Sequence, residues 1–219
     1  MELSLFDVVG PVMIGPSSSH TAGAARLARV ARQIAGEFTH VSFGLHGSFA
    51  KTGWGHGTDR ALVAGALGLS EQDERLRTSF EMARAVGLEY DFYTAELDVP
   101  HENAVKMTFY GADGGKLDVV GASLGGGRIV ITRIGEYPAE ITADAPTLVI
   151  VQNDRKGMVS RVSQILASHD INIGVMRLSR TARGEVACCV IETDGELPGG
   201  VLEEIRKVPG VLSARAISA

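Results

Sequence analysis

The sequence predicts an α+β chain of two domains: a mixed-sheet domain over residues 1–145 and a smaller βαββαβ domain over residues 146–219. Three observations lead there. A length of 219 residues is generous for one domain and suits two. The stretch Tyr137-Pro-Ala-Glu-Ile-Thr-Ala-Asp-Ala-Pro146 carries two prolines and no helical periodicity, so it reads as a linker. Its two flanks are patterned differently. Helices and strands alternate irregularly ahead of it, and a split βαβ order follows it.

The first region opens with a strand over Leu3–Val9. A Gly-Pro turn and the run Gly15-Pro-Ser-Ser-Ser-His-Thr21 lead into a helix from Ser19 to Ala35. Leu27, Val30, Ala31 and Ile34 share one face of that helix, and the serines supply its N-cap. Val41–Leu45 alternates and reads as a strand. Gly53-Trp-Gly-His-Gly-Thr-Asp59 forms a glycine loop before a helix over Arg60–Gly68. A third helix spans Asp73–Val86, its acidic start favoured by the helix dipole. Strands follow at Val105–Tyr110, Leu117–Ala122 and Arg128–Ile134. Behind the linker come a strand Thr147–Val151, a helix Gly157–His169 and strands Ile173–Leu178 and Val186–Ile191. Pro198 suits the first position of a helix reaching Lys207, and Val211–Ile217 is the last strand. That order is the ferredoxin-like plan.

Composition narrows the function. Hydrophobic residues make up 45% and charged residues 21%, enough apolar side chain for buried cores. The net charge of -5 and pI of about 5.7 argue against a nucleic-acid partner. Cys188 and Cys189 are the only cysteines and are adjacent. That excludes a disulfide framework, and two thiols cannot hold a four-cysteine cluster unaided. The N-terminus lacks a basic n-region, and Asp7 interrupts its apolar run. Neither a signal peptide nor a membrane span is expected, so a cytoplasmic protein is.

Four segments carry chemistry. Gly15-Pro-Ser-Ser-Ser-His-Thr21 sets hydroxyls and an imidazole at a helix start, where unpaired N–H groups attract anions. The same residues also read as a helix cap. Leu45-His-Gly-Ser-Phe-Ala-Lys-Thr-Gly-Trp-Gly-His-Gly-Thr-Asp59 gathers titratable groups among glycines, which favours a site over a plain turn. It is not a dinucleotide fingerprint, because Thr58 stands where a glycine is required. Pro100-His-Glu-Asn-Ala104 reads alone as a turn. Ser123-Leu-Gly-Gly-Gly-Arg128 reads as a hairpin or an anion loop, with Arg128 a surface charge. No HExxH or short His/Cys pairing appears among the six histidines, so no metal site is expected.

Together, GPSSSHT at 15–21, LHGSFAKTGWGHGTD at 45–59, PHEN at 100–103 and SLGGG at 123–127 resemble the β chains of bacterial iron–sulfur L-serine dehydratases (L-serine ammonia-lyases), over about Leu3–Thr132. A related domain occurs inside some D-3-phosphoglycerate dehydrogenases. The family's HPN appears here as His101-Glu102-Asn103. Residues 146–219 resemble an ACT domain, an amino-acid-sensing module. Asn153-Asp-Arg-Lys-Gly-Met158 stands for its NDRPG turn, and Asp170-Ile-Asn-Ile-Gly174 for the segment before its second strand.

The resemblance implies deamination of L-serine to pyruvate and ammonia. It implies a [4Fe–4S] cluster whose ligands lie in a separate cysteine-rich α chain, so that this chain alone is inactive. It implies His56 and His20 as catalytic residues, with His56 a proton carrier. Ser17, Ser18, Ser19, Thr21, Ser48, Thr58, Asp59, His101 and Asn103 are then the substrate-binding set. Asn153, Asp154, Gly157, Met158, Asn172 and Ile173 are the effector set, at a homodimer contact between paired ACT domains. A non-catalytic amino-acid-binding regulator is the alternative. A pyridoxal-phosphate lyase using Lys51 and Gly125–Gly127 is disfavoured by the short chain and its five lysines.

Overall fold

A computed structural model describes residues 15–218. The expected strand at Leu3–Val9 lies outside them. The chain forms two compact units, the first ending at Thr132 and the second beginning at Arg133.

In the first unit a π-helical turn, Ser18–Gly23, runs into α1, Ala24–Ala35. β1 (His40–Leu45), α2 (Gly47–His56) and α3 (Thr58–Ala66) follow. A 3-10 turn at Glu74–Thr78 precedes α4 (Ser79–Val86) and β2 (Glu89–Thr94). β3 (Ala104–Tyr110), β4 (Lys116–Gly125) and β5 (Arg128–Ile134) come next. The strands lie in the order β2-β1-β3-β4-β5. β1 is parallel to β2 and antiparallel to β3, so the sheet is mixed, as expected.

Small residues bring the layers close. The face of α1 carrying Ala24, Ala25, Leu27, Ala28 and Ala31 is buried. α3 crosses it at Gly65, where a Cβ would sit 2.2 Å from the Ala25 carbonyl oxygen. On β4, a Cβ at Gly121 would lie 2.7 Å from Leu27 Cδ1. Phe43, Phe49, Leu62 and Met107 fill the core.

The second unit opens with β6, Tyr137–Ile141. β7 (Thr147–Asn153), α5 (Met158–Ser168), β8 (Ile173–Arg180), β9 (Val186–Thr193), α6 (Val201–Arg206) and β10 (Val211–Ile217) follow. The sheet order β10-β7-β9-β8 is the ferredoxin-like plan. Leu148, Ile150, Leu166, Ile191 and Ile205 centre its core.

Five local expectations change. The glycine loop is largely helical, since Gly47–His56 forms α2. Each interior glycine costs roughly 1 kcal/mol against alanine, offset here by side-chain bonds described below. The Asp73–Val86 helix starts as a 3-10 turn, with Asp73 capping Arg75 N–H. Glu89–Thr94, where the sequence predicts no element, is β2. The linker contains β6, and Pro138 is tolerated near a strand's start. The last helix begins at Val201 behind Gly200, whose φ is 96°. Pro198 lies in the turn ahead of it, accepting from Val201 N–H.

Candidate functional site

The π-helical turn, α2 and the β4–β5 hairpin bring the segments 15–21, 45–59 and 123–128 together. Ser17 Oγ accepts from His20 N–H at 3.0 Å. Its carbonyl takes the N–H groups of Thr21 and Ala22. The helix start therefore offers fewer free donors than its sequence suggests. The amides of Ser18 and Ser19 lie ahead of any in-helix acceptor. Ser18 Oγ accepts from Gly126 N–H at 3.3 Å, and Arg26 donates to the Gly127 carbonyl at 3.2 Å. Gly125, Gly126 and Gly127 all have positive φ, as the hairpin turn requires. The Ser19 hydroxyl has no hydrogen-bond partner among the described residues.

His20 stands at the centre. Its ring meets Phe49 edge-on, with centroids 5.3 Å apart. Its Nε2 lies 3.1 Å from Ser48 Oγ and 3.0 Å from Thr52 Oγ1. His56 closes α2, and its ring centroid is 5.1 Å from that of His20. The carbonyl of Thr52 accepts from His56 Nδ1 at 3.0 Å. Thr21 Oγ1 donates to the His56 carbonyl at 3.0 Å, tying the helix start to the end of α2. A cavity of about 220 Å³ opens beside His56, bordered by Pro16, Thr21, Gly57, Arg60 and Arg77. Its lining is largely apolar, and the Arg60 guanidinium is engaged, donating to the Arg77 carbonyl at 3.1 Å and lying over the Phe80 ring.

Burial, followed by repulsion from a charged His56, holds His20 below the ordinary imidazole value, and a contact with Ser48 opposes them. Replacing His56 with Asn removes the repulsion, so the His20 pKa is expected to move up toward its ordinary value. The sign for stability follows. A folded-state value below the unfolded one means that the unfolded chain takes the proton first as pH falls. His20 therefore costs stability as pH drops through its unfolded value, and H56N narrows that window. NMR titration of the His20 ring protons reads the change. An unmoved His20 midpoint would disprove the coupling.

The remaining expected residues divide. Ser48 donates its N–H to the Glu102 carbonyl at 2.7 Å, and Ser123 N–H bonds the Asn103 carbonyl at 2.9 Å. The His101–Asn103 segment is thus joined to α2 and β4 by main-chain carbonyls. Any residue at 102 can supply that contact, which accommodates Glu102 in place of proline. Asn103 Oδ1 is buried and lacks a partner among the described residues. Thr58 is fully buried and its Oγ1 is also unpartnered. A Cβ at Gly53 would lie 3.2 Å from Thr58 Cβ. Thr58 cannot meet a ligand directly in this conformation, and Asp59 beside it is buried too. Thr52 was not among the expected residues. Its signal is the 48/52/56 spacing, which has meaning only if the segment is helical.

In the second unit the expected effector residues do not converge. Asn153 faces Val186 on β9, whereas Ile173 faces Thr193. Seven residues of strand put the two loops roughly 23 Å apart. β7 and β8 both run antiparallel to β9, which sends their loops to opposite ends. Asp154 accepts from Arg180 at 2.7 Å and from Gly184 N–H at 2.9 Å. Those hydrogen bonds hold its carboxyl below the usual range. Asn172 donates to Asp194 at 2.7 Å. Met158 is buried, and Gly157 caps α5 with φ 85°.

Both cysteines are free and buried in β9. Burial pushes Cys188 up to about 12 and Cys189 up to about 11. Cluster ligands must be thiolates, so this chain's thiols do not fit an iron–sulfur cluster. Among the described residues no group of three or more His, Cys, Asp or Glu could hold a metal ion. No helix among them is long and apolar enough to cross a membrane.

Residues 4–86 match the family described as serine dehydratase beta chain, and residues 147–210 match the ACT domain. The chain is 39% identical to a probable L-serine dehydratase, beta chain, of Bacillus subtilis, covering 98% of each. It is 38% identical to the L-serine dehydratase, beta chain, of Peptoniphilus asaccharolyticus, covering 99% of this chain and 98% of that one. It is also 32% identical to an L-serine dehydratase of Streptomyces coelicolor, over 59% of this chain and 34% of that one.

Proposed function

The chain belongs to the serine dehydratase beta chain family, and from that premise we propose that it works with an α chain to convert L-serine to pyruvate and ammonia. Its C-terminal unit is an ACT domain. The observation that carries a site on this chain is the meeting of His20 and His56. They come from separate segments, and their ring centroids are 5.1 Å apart.

Elimination of water from L-serine removes the Cα proton and expels hydroxide from Cβ. The resulting enamine becomes an imine, which water hydrolyses to pyruvate and ammonia. In this reading the Ser17–Thr21 helix start holds the substrate carboxylate. The Ser19 hydroxyl and Ser48 contact the substrate. His101 and Asn103 close the far side, and Thr58 and Asp59 support the site from below. Among the described residues His56 Nε2 has no partner, and it takes the Cα proton there. Neutral His20 orients the hydroxyls around it. We assign the [4Fe–4S] cluster to the α chain, because the thiols here do not fit it. Free cysteines fit a reducing, cytoplasmic setting.

The effector loops make a complete site only between two paired ACT domains. Asn153, Asp154, Gly157 and Met158 would come from one domain, and Asn172 and Ile173 from the other. An amino acid is the proposed effector. Asn172→Ala should abolish any modulation of the assembled enzyme by that effector while leaving basal turnover within about twofold. Unchanged modulation would remove Asn172 from the effector site.

The central test is anaerobic co-expression with the α chain, followed by a serine-to-pyruvate assay. Turnover by the pair and none by the chain alone is the expected result. A pair without serine turnover would overturn the reading.

A further inference from the structure

We infer that Thr52 is a positioning residue that sets the tautomers of both histidines. Its hydroxyl oxygen keeps a proton on His20 Nε2, and its carbonyl keeps one on His56 Nδ1. The role in turnover rests on the reading of His20 and His56 given above. The tautomers themselves do not.

Counting protons gives the result. A threonine hydroxyl has one proton to donate. Thr52 Oγ1 donates it to the Ser48 carbonyl, 2.9 Å away and able only to accept. Toward His20 Nε2, at 3.0 Å, the same oxygen presents lone pairs. With the hydroxyl proton placed on the Ser48 carbonyl, the ring nitrogen that bonds this lone pair carries its own proton. Ser48 Oγ lies 3.1 Å from that nitrogen and 3.3 Å from Thr52 Oγ1, so its own proton completes the triangle on Thr52. The second half needs no counting. The Thr52 carbonyl cannot donate, so His56 Nδ1 at 3.0 Å is protonated. One residue thus leaves opposite nitrogens bare, Nδ1 on His20 and Nε2 on His56. The i, i+4, i+8 spacing of Ser48, Thr52 and His56 along α2 makes the arrangement possible.

Two-bond 1H–15N correlation spectra of the full chain test this directly. Wild-type His20 should show a protonated-type Nε2 and a bare-type Nδ1, and His56 the reverse. In Thr52→Val the Ser48 hydroxyl is released to donate to His20 Nε2. His20 should then acquire a population protonated at Nδ1. His56 should keep its pattern, because the carbonyl remains, and this guards against simple misfolding. Thr52→Ser should restore His20. In the enzyme assembled with its α chain, T52V should lower kcat about tenfold or more with little change in KM, and T52S should recover it. A bare Nε2 on wild-type His20, or an identical His20 pattern in T52V, overturns the inference. Unchanged kcat beside an altered tautomer overturns the role in turnover. Full turnover in His20→Asn and His56→Asn overturns the catalytic reading instead, with the tautomer assignment intact.

Discussion

Replacing His56 with asparagine is expected to lower kcat of the assembled enzyme by about 10²–10⁴-fold, the usual worth of a positioned proton carrier. Asparagine keeps a donor that can reach the Thr52 carbonyl, so the end of α2 should hold its shape. It brings no basic nitrogen to replace the proposed Nε2. Thr21 bonds the main-chain carbonyl of residue 56 rather than its ring, and that contact survives the substitution. The loss should therefore appear in kcat, with KM nearly unchanged. Pyruvate formation reads the rate, and a thermal melt of the variant checks the fold. Turnover within about twofold of wild type would remove His56 from proton transfer.

Gly65→Ala is expected to be the most damaging small change to the first unit. The added methyl would sit 2.2 Å from the Ala25 carbonyl, 2.8 Å from Ala28 Cβ and 2.8 Å from Arg29 N. Two of these are backbone atoms of α1 and cannot swing aside. The helices must separate, and the surrounding alanines are too short to fill the gap. Overpacking of this kind costs about 3 kcal/mol, which lowers Tm by roughly 6–12 °C for a domain of this size. Gly55→Ala is the matched control, because among the described residues nothing beyond its own helix backbone and chain neighbours lies within 4 Å of its Cβ position. It should gain about 0.5–1 kcal/mol from helix propensity. Parallel thermal melts compare the two, and equal melting points would show that the α1–α3 crossing is not tight.

Much of the fold was legible because apolar spacing reports burial directly. Strands β7 to β10 and α5 follow their periodicity to within two residues, and the alanine-rich face of α1 is the buried one. The unread parts share a physical cause. Three glycines over Gly53–Gly57 conceal α2, whose stability comes from bonds to the π-helical turn rather than from propensity. β2 was readable in principle, since Tyr90, Phe92 and Tyr93 favour strands, but it is short and directly follows a helix. At the site, both histidines stand out from their neighbours. Which hydroxyls are already engaged does not, because that depends on contacts between segments about 30–100 residues apart. Thr52 stayed hidden for the same reason: its role requires knowing the register of α2.

Cys188 and Cys189 face away from solvent on a central strand, with raised thiol pKa values. A thiol reagent can modify them only when β9 is released, because reaction needs an exposed thiolate. Their modification rate is therefore a clock for opening of the second unit, read without any engineered label. Effectors that tighten that unit should slow the clock, and no serine turnover is needed to hear it.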